Sequence, residues 1–226
     1  MIKLIVFDWD DVITLGAKEA YFTCYHKVLT EIGIYLTPEE EQKRILAKWS
    51  KPHREELKEL LKEHPELLDQ ACKIYKKEKD TIFLRSLQMA KGTNEVLLRL
   101  KQEYILTVAT GNTLEMVRNA IMPHFQIPRV FSQIISSHDI HDVNKMKPHP
   151  YMLELIMKKQ NVTPQETIFV GDALTDVQMA RNAEVTPVVV LTGHLSREEA
   201  KGLHIKWIIP DITHLPRVLY VINKQN

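Results

Sequence analysis

The order of apolar and polar positions predicts that most of this chain consists of alternating strands and helices. The first predicted strand is Leu4–Phe7, a continuous apolar run rich in β-branched and aromatic residues, as is typical of a strand buried on both faces. From Lys91 onward, further predicted strands cover residues 104–109, 130–135, 167–170, 187–191 and 207–209, and helices lie near 96–100, at 114–122, 150–159, 174–183 and 196–201, and from Asp211. This alternation predicts a parallel sheet covered by helices on both faces.

Residues 17–87 interrupt this alternation, because they show helical patterns only. Gly33 is suited to end one helix, and residues 37–40 (Thr-Pro-Glu-Glu) have the features of a capping box that begins the next. The charged run 73–80 is typical of a solvated helix face. The helical block is therefore predicted to be a domain of residues 16–87, inserted into a core domain of residues 1–15 and 88–226.

Composition and charge narrow the classes of partner. The chain has 226 residues, and 30 Lys and Arg against 29 Asp and Glu give a formal net charge of +1, so neither nucleic acid nor a membrane surface is an expected partner. No apolar run approaches the ~20 residues that a membrane helix needs. The N-terminal apolar run leads directly into Asp8, unlike a secretory leader, and Cys24 and Cys72 match no metal-binding spacing. A cytoplasmic protein is the expectation.

Chemically active side chains follow four of the predicted strands. Asp8 and Asp10 come directly after the first strand and project to the same side, because successive strand residues alternate between faces. Two neighbouring carboxylates repel each other unless a cation neutralises them, and an oxygen-only site suits Mg²⁺. Ligands bind beyond the carboxyl ends of parallel strands. The other polar residues at predicted strand ends are Thr110 with Gly111 and Asn112, Lys147, and Asp172 with Asp176.

This set of motifs, in this order, resembles the haloacid dehalogenase-like superfamily, in particular members with a helical cap inserted after the first strand. Phosphoglycolate phosphatase-like and β-phosphoglucomutase-like enzymes are familiar examples. The resemblance covers nearly the whole chain, although in the cap it concerns position and helicity only. It implies an α/β fold with a Rossmann-like three-layer core, a parallel sheet and an all-helical cap domain.

The resemblance also implies roles for individual residues. Asp8 would be the nucleophile that forms an aspartyl-phosphate. Asp10 would act as general acid and then general base, and its backbone carbonyl would bind Mg²⁺. The presence of an acid at this position favours phosphoryl transfer over dehalogenation. Lys147 would neutralise charge on the nucleophile and the transferring group. The remaining predicted contacts are to phosphoryl oxygens from Thr110, Gly111 and Asn112, and to the metal site from Asp172 and Asp176.

Three positions depart from the family pattern. Asp11 stands where a glycine usually makes a tight turn, and its carboxylate could repel phosphate unless it points outward or meets a cation. Leu15 replaces a commonly acidic residue at the entry to the cap. Glu184 stands where glycine normally ends a helix, a position that often needs positive φ. None of the three removes a catalytic group, but Asp11 raises the alternative of a weak or inactive enzyme.

Other polar clusters have weaker functional interpretations. Lys51 and Arg54 lie in a basic turn of the cap that could hold an anionic end of a substrate, although an exposed basic surface turn is the favoured interpretation. His149 beside Lys147 is interpreted as loop packing. A structural zinc site is disfavoured for the cluster His138, Asp139, His141 and Asp142.

The sequence therefore predicts a Mg²⁺-dependent phosphatase that acts on a small-molecule phosphate ester, of phosphoglycolate or sugar phosphate type, through an aspartyl-phosphate. Two alternatives remain open. One is a phosphomutase of the β-phosphoglucomutase kind, and the other is a binding protein that keeps the fold but has little catalytic activity. The chain is expected to be a monomer or a homodimer.

Overall fold

Six strands form one continuous sheet in the computed structural model of the chain, which describes residues 1–48 and 52–225. The strands are β1 (Leu4–Phe7), β2 (Ile105–Thr110), β3 (Phe131–Ser136), β4 (Thr167–Gly171), β5 (Thr186–Val190) and β6 (Trp207–Ile209). Their order is β3-β2-β1-β4-β5-β6, and each neighbouring pair is parallel. The predicted parallel sheet is confirmed, and β1 lies in its interior between β2 and β4.

The chain divides into two compact units. One consists of residues 1–15 together with the chain from Gln88 onward and contains the sheet; we call it the core unit. The other is Gly16–Leu87, here called the helical unit. Its helices are α1 (Ala17–Glu31), α2 (Pro38–Ala47), α3 (His53–Leu60) and α4 (Leu68–Ser86).

Local signals in the helical unit act as the sequence predicts. The Thr37 hydroxyl accepts the backbone N–H of Glu40 at 3.2 Å, and Pro38 is the first residue of α2. Both cysteines, Cys24 and Cys72, are buried and free. Among the described residues, no helix is both long and apolar enough to cross a membrane.

In the core unit, each of the five connections between successive strands contains a helix, and one more helix follows β6. These helices are α5 (Thr93–Leu100), α6 (Met122–His124), α7 (Tyr151–Gln160), α8 (Leu174–Asn182), α9 (Arg197–Gly202) and α10 (Leu215–Gln225). Before α6, Met116–Ile121 is π-helical rather than α-helical. Pro123 accounts for this wider turn, because its ring crowds the preceding turn and it has no N–H to donate. Asp211 does not begin the last α-helix; its carboxylate accepts the Thr213 N–H at 2.8 Å and starts a 3₁₀ turn instead.

Both faces of the sheet are covered by side chains. All four residues of β1 are fully buried. On one face, Leu4 and Val6 belong to an apolar cluster with Phe169 of β4 and with side chains of α7 and α8. On the other face, the Phe7 ring packs edge-on against Phe131 of β3, with 6.3 Å between ring centroids. The predicted α/β fold class is confirmed.

Two of the three departures from the family pattern occupy left-handed backbone. Asp11 has φ 56° and Glu184 has φ 58°. Both residues therefore have the left-handed backbone conformation that glycine adopts easily. Because they carry a Cβ, this conformation is strained at both positions. Leu15, the third departure, exchanges two backbone hydrogen bonds of 2.8 Å with Gln88, so the two chain segments that connect to the helical unit are paired with each other.

Candidate active site

Several of the predicted site residues lie at the carboxyl edge of three neighbouring strands. Asp8 directly follows β1, and its backbone N–H donates to the Val170 carbonyl of β4 at 2.8 Å, which continues the sheet pairing by one residue. Thr110 is the fully buried last residue of β2, and Asp172 directly follows β4. Parallel pairing thus brings residues 8, 110 and 172 to one edge, as the sequence predicts.

Lys147 lies between two carboxylates of this edge. Its Nζ is 2.9 Å from Asp8 Oδ1 and 2.8 Å from Asp176 Oδ1, and it sits over the Phe169 ring at 5.3 Å from the centroid. The side chain of Lys147 is only 9% exposed. A buried ammonium shared by two carboxylates is held in one position, which is what charge neutralisation at a reacting centre requires.

Burial is the main cause of the raised pKa values of Asp8 and Asp172, and repulsion between carboxylates adds to it. Burial raises the pKa of Asp8 to about 6, and Asp176 adds to the rise, although Lys147 opposes it. Burial also raises the pKa of Asp172 well above its ordinary range, with Asp176 and Asp8 adding repulsion. Burial by itself would lower the pKa of Lys147, but Asp176 and Asp8 outweigh it and hold that pKa above its ordinary value. One lysine is not enough to stabilise all of these carboxylates as anions.

Besides its ion pair with Lys147, Asp176 accepts backbone hydrogen bonds at the beginning of α8. Its Oδ2 accepts the backbone N–H groups of Asp172 and Ala173, each at 3.1 Å. Gly171 makes this close approach possible, because a Cβ on residue 171 would lie only 2.5 Å from the Cβ of Asp176. Asp176 therefore ties the end of β4 to Lys147.

The donor set at this edge fits a hard divalent cation. Asp8, Asp172 and Asp176 each offer a carboxylate oxygen, and these three atoms lie within 4.8 Å of one another. Oxygen donors and unbalanced negative charge are what Mg²⁺ prefers. Asp10 belongs to neither of the two three-residue candidate metal groups found among residues 1–48 and 52–225. Its predicted metal contact is through the backbone carbonyl and stays a prediction.

Asn112 holds the predicted general acid in place. Its Nδ2 donates to both carboxylate oxygens of Asp10 at 2.8 Å, and its backbone N–H donates to Thr110 Oγ1 at 3.0 Å. The Ser136 hydroxyl donates to the Asn112 carbonyl at 2.6 Å. Asn112 is thus a positioning residue for Asp10, a role that the sequence analysis missed; its predicted substrate contact, like those of Thr110 and the exposed Gly111, stays a prediction.

The loop after β5 also reaches this edge, and the sequence analysis missed it. The Thr192 hydroxyl donates to the backbone carbonyl of Asp11. The His194 backbone N–H donates to Asp172 Oδ2 at 2.9 Å. The sequence contained a signal for this loop, because Thr192, Gly193 and His194 follow a predicted strand, and the other polar residues also follow predicted strands.

Gly193 is expected to be indispensable, because a Cβ there would lie 2.0 Å from Asp172 Oδ2. We expect Gly193→Ala to displace Asp172, to lower the free energy of unfolding by about 1–3 kcal/mol and to reduce the predicted phosphatase activity. Thermal unfolding and hydrolysis of p-nitrophenyl phosphate measure the two effects. Gly202→Ala is the matched control, since nothing lies within 4 Å of its added Cβ. Equal behaviour of the two variants would contradict this interpretation.

The structure does not gather every residue that the sequence singled out. Lys51 lies outside the described residues. Arg54, in the helical unit, donates to Asp69 at 2.8 Å and to the Cys72 sulfur at 3.7 Å, and its predicted substrate contact remains a prediction. His149 is exposed, and its Nδ1 accepts the Tyr151 N–H at 3.2 Å within the loop; its interpretation as loop packing stays a prediction. The disfavoured zinc cluster (His138, Asp139, His141 and Asp142) is absent from the candidate metal groups of the described chain.

Comparison with models of known protein families identifies the family of this chain. A model described as "haloacid dehalogenase-like hydrolase" matches residues 5–190, which is most of the chain. The chain belongs to this family. The resemblance stated from the strand-end motifs is therefore confirmed, and with it the prediction of a hydrolase.

Curated relatives of this haloacid dehalogenase-like hydrolase include named phosphatases. A phosphorylated carbohydrates phosphatase from Thermotoga maritima is 26% identical over 190 residues, which cover 81% of this chain and 82% of that protein. A glyceraldehyde 3-phosphate phosphatase from Pyrococcus furiosus is 29% identical over 143 residues, which cover 62% of this chain and only 57% of that protein. Both are small-molecule phosphatases by name.

Solved structures share the fold of this hydrolase over almost its full length. A candidate haloacid dehalogenase-like hydrolase from Bacteroides fragilis superposes with a TM-score of 0.79 at 21% identity, covering 95% of this chain and all of that one (100%). At this identity the likeness concerns the fold alone.

Proposed function

We propose that this chain is a phosphatase that hydrolyses a small phosphate ester through an aspartyl-phosphate at Asp8. The observation that carries the proposal is the position of the buried Lys147 side chain, whose ammonium contacts Asp8 at 2.9 Å and Asp176 at 2.8 Å at the carboxyl edge of the sheet. A carboxylate can attack a phosphoryl group only if positive charge offsets the repulsion between the two anions. Lys147 supplies part of that charge at the nucleophile itself.

In the first step, an Asp8 carboxylate oxygen attacks phosphorus, and the bond from phosphorus to the ester oxygen breaks. Asp10 gives its proton to the departing alkoxide, so the products are the free alcohol, an acyl-phosphate on Asp8 and an ionised Asp10. The two hydrogen bonds that Asn112 donates to Asp10 fix the direction in which this carboxyl group points. Asn112 thus orients the acid without touching the reacting atoms.

In the second step, the ionised Asp10 accepts a proton from water, and the water oxygen attacks phosphorus. The bond between phosphorus and the Asp8 oxygen breaks, which releases inorganic phosphate and restores the Asp8 carboxylate. Asp10 is protonated again and ready for the next substrate. Lys147 contacts Asp8 Oδ1 in the resting enzyme and would partly balance the negative charge that returns to the Asp8 carboxylate.

The proposal includes Mg²⁺ held by Asp8 and Asp172, with the Asp10 carbonyl as a further ligand and Asp176 supporting the site. The carboxylate oxygens of Asp8, Asp172 and Asp176 within 4.8 Å of one another support this assignment. When bound, the cation would neutralise negative charge on the phosphoryl oxygens as it develops.

The substrate class is proposed as a small phosphorylated metabolite of the sugar phosphate or phosphoglycolate type. The names of the relatives support this, since the two described above act on phosphorylated carbohydrates and on glyceraldehyde 3-phosphate. Hydrolysis of a panel of phosphorylated metabolites, with release of inorganic phosphate as the readout, tests the class. Transfer of the phosphoryl group to a sugar instead of water would favour the phosphomutase alternative.

Asp10→Asn is expected to discriminate between leaving groups. The departing oxygen of an alkyl phosphate needs a proton, whereas p-nitrophenolate leaves readily without one. We therefore expect kcat/KM to fall by about 10²–10⁴-fold for alkyl esters and much less for p-nitrophenyl phosphate. Steady-state kinetics on both esters, with Mg²⁺ present, measures this difference. An equal loss for both esters would contradict the role of Asp10 as general acid.

A further inference from the structure

The turn after β2 is held between the last residues of two neighbouring strands. Thr110 of β2 and Ser136 of β3 are register partners, so they lie side by side at the carboxyl edge of the sheet. The Asn112 backbone N–H donates to Thr110 Oγ1 at 3.0 Å, and the Ser136 hydroxyl donates to the Asn112 carbonyl at 2.6 Å. All three residues are fully buried. Both main-chain polar groups of Asn112 therefore bond to hydroxyl groups that the sheet itself positions.

A further hydrogen bond fixes the direction of the Ser136 hydroxyl proton. Ser136 Oγ accepts the backbone N–H of His138 at 3.0 Å. Because a carbonyl oxygen has no proton to donate, the hydroxyl proton points to the Asn112 carbonyl. Ser136 thus links the turn after β2 to the turn after β3. Removing its hydroxyl takes away a donor from a buried carbonyl, which such a group tolerates poorly.

Asn112 transmits this constraint to the predicted general acid. Its Nδ2 donates to both carboxylate oxygens of Asp10 at 2.8 Å, which restricts rotation of the carboxyl group about its bond to Cβ. In the proposed reaction, the proton leaves Asp10 and joins the ester oxygen as the bond from phosphorus to that oxygen breaks. Misplacing a catalytic group by about 1 Å costs about 10²-fold in rate. The position of the Asn112 main chain therefore affects how well Asp10 transfers its proton.

We propose that Ser136 is a positioning residue for proton transfer by Asp10. It holds the main chain of Asn112, and the Asn112 amide in turn directs the Asp10 carboxyl group toward the leaving oxygen. The inference rests on the proposed function, in which Asp10 gives its proton to the departing alkoxide. Ser136 acts through Asn112, since its hydroxyl bonds to main-chain groups of residues 112 and 138.

Ester selectivity tests this role; we define it as the ratio of kcat for β-glycerophosphate, an alkyl ester, to kcat for p-nitrophenyl phosphate. In steady-state kinetics with Mg²⁺ present, Ser136→Ala should lower this ratio about tenfold and change KM little, because p-nitrophenolate leaves without a proton. Ser136→Thr keeps the hydroxyl and should restore the ratio. Ser132→Ala is the matched control and should leave the ratio unchanged, since Ser132 of the same strand donates to the Leu106 carbonyl of β2 at 3.2 Å.

A double-mutant cycle separates positioning from general structural support. If Ser136 acts through Asp10, Ser136→Ala should cause little further loss for β-glycerophosphate once Asp10→Asn has removed the acid. An equal loss for both esters in Ser136→Ala would overturn the proposal, and so would an undiminished further loss in the Asp10→Asn background. If Ser136→Ala fails to fold, by circular dichroism, Ser136→Cys, which has a similar shape and a weaker donor, must lower the ratio instead.

A measurement without substrate distinguishes this inference from the proposed function. In nuclear magnetic resonance spectra of the isotope-labelled full chain, the side-chain amide protons of Asn112 should exchange slowly with water, because they donate to Asp10. Exchange should be clearly faster in Ser136→Ala. Unchanged exchange would overturn the positioning role even in an active phosphatase. Faster exchange, in a chain that hydrolyses neither ester when unaltered, would overturn the proposed function and with it the catalytic consequence of Ser136.

Discussion

Asp8→Asn is expected to lower kcat/KM for p-nitrophenyl phosphate by roughly 10³-fold or more, because the amide cannot act as the attacking carboxylate. The side chain keeps its size, and one oxygen remains within reach of Lys147, which contacts Asp8 Oδ1 at 2.9 Å in the unaltered chain. Burial holds the pKa of Asp8 at about 6, above its ordinary value of 3.8, so the ionised carboxylate contributes no large stability at neutral pH. The variant should therefore fold with a Tm near that of the unaltered protein.

Steady-state hydrolysis in the presence of Mg²⁺ measures the loss, with thermal unfolding of the same sample as the check on folding. Asp139→Asn is the matched control, since Asp139 is exposed on a 3₁₀ turn and is not one of the predicted catalytic or metal-binding residues. Substantial remaining hydrolysis by folded Asp8→Asn would contradict the assignment of the nucleophile. Absence of hydrolysis in the unaltered chain, on aryl and metabolite phosphates alike, would favour the binding-protein alternative.

Lys147→Met is expected to impair both activity and folding. Methionine has a similar length but leaves Asp8 and Asp176 facing each other with no ammonium between them. Breaking a buried ion pair by removing one partner costs about 3–5 kcal/mol, and losing a charged stabiliser of the transition state costs about 10²–10³-fold in kcat. Denaturant unfolding and hydrolysis of p-nitrophenyl phosphate measure the two losses. Lys158→Met, at an exposed position of α7, should change neither.

The stability loss of Lys147→Met should depend on pH in a defined direction. Asp8 has a folded-state pKa of about 6 against an ordinary value of 3.8, so its ionisation destabilises the fold as pH rises through this range. Removing Lys147 raises that pKa further, which increases the penalty at neutral pH but not at pH ~4, where Asp8 of the folded chain is protonated with or without Lys147. Unfolding without metal at pH 4 and pH 7.5 should thus show the larger deficit at pH 7.5. A deficit that is equal at both values would contradict the ion-pair explanation.

The sequence predicted the convergence of the site because parallel strands impose it. Once Leu4–Phe7 and the later apolar runs are recognised as strands of one sheet, the side chains that follow them must meet at one edge. The positions of Asp8, Thr110 and Asp172 at this edge follow from the strand assignments alone. Lys147 was also predicted to lie at this edge, in the loop after the third strand, and its contacts with Asp8 and Asp176 agree with that position.

What the sequence could not predict lies in the loops. The hydrogen bonds from Asn112 to Asp10 depend on how the backbone turns after β2, and side-chain periodicity carries no information about such turns. The approach of Gly193 and His194 to Asp172 depends likewise on the path of the chain after β5. For Asp11 the sequence indicated the unusual backbone but not the direction of the carboxylate, which lies near Asp172 and His194.

Chemical trapping of the phosphorylated enzyme tests the central claim most directly. The unaltered chain, mixed with substrate and Mg²⁺ and stopped with acid during turnover, is treated with borohydride, which reduces an acyl-phosphate to an alcohol and so converts that aspartate to homoserine. Peptide mass spectrometry should then find homoserine at position 8, in an amount that depends on substrate. Homoserine at another aspartate, or turnover with no modified residue, would contradict an aspartyl-phosphate at Asp8.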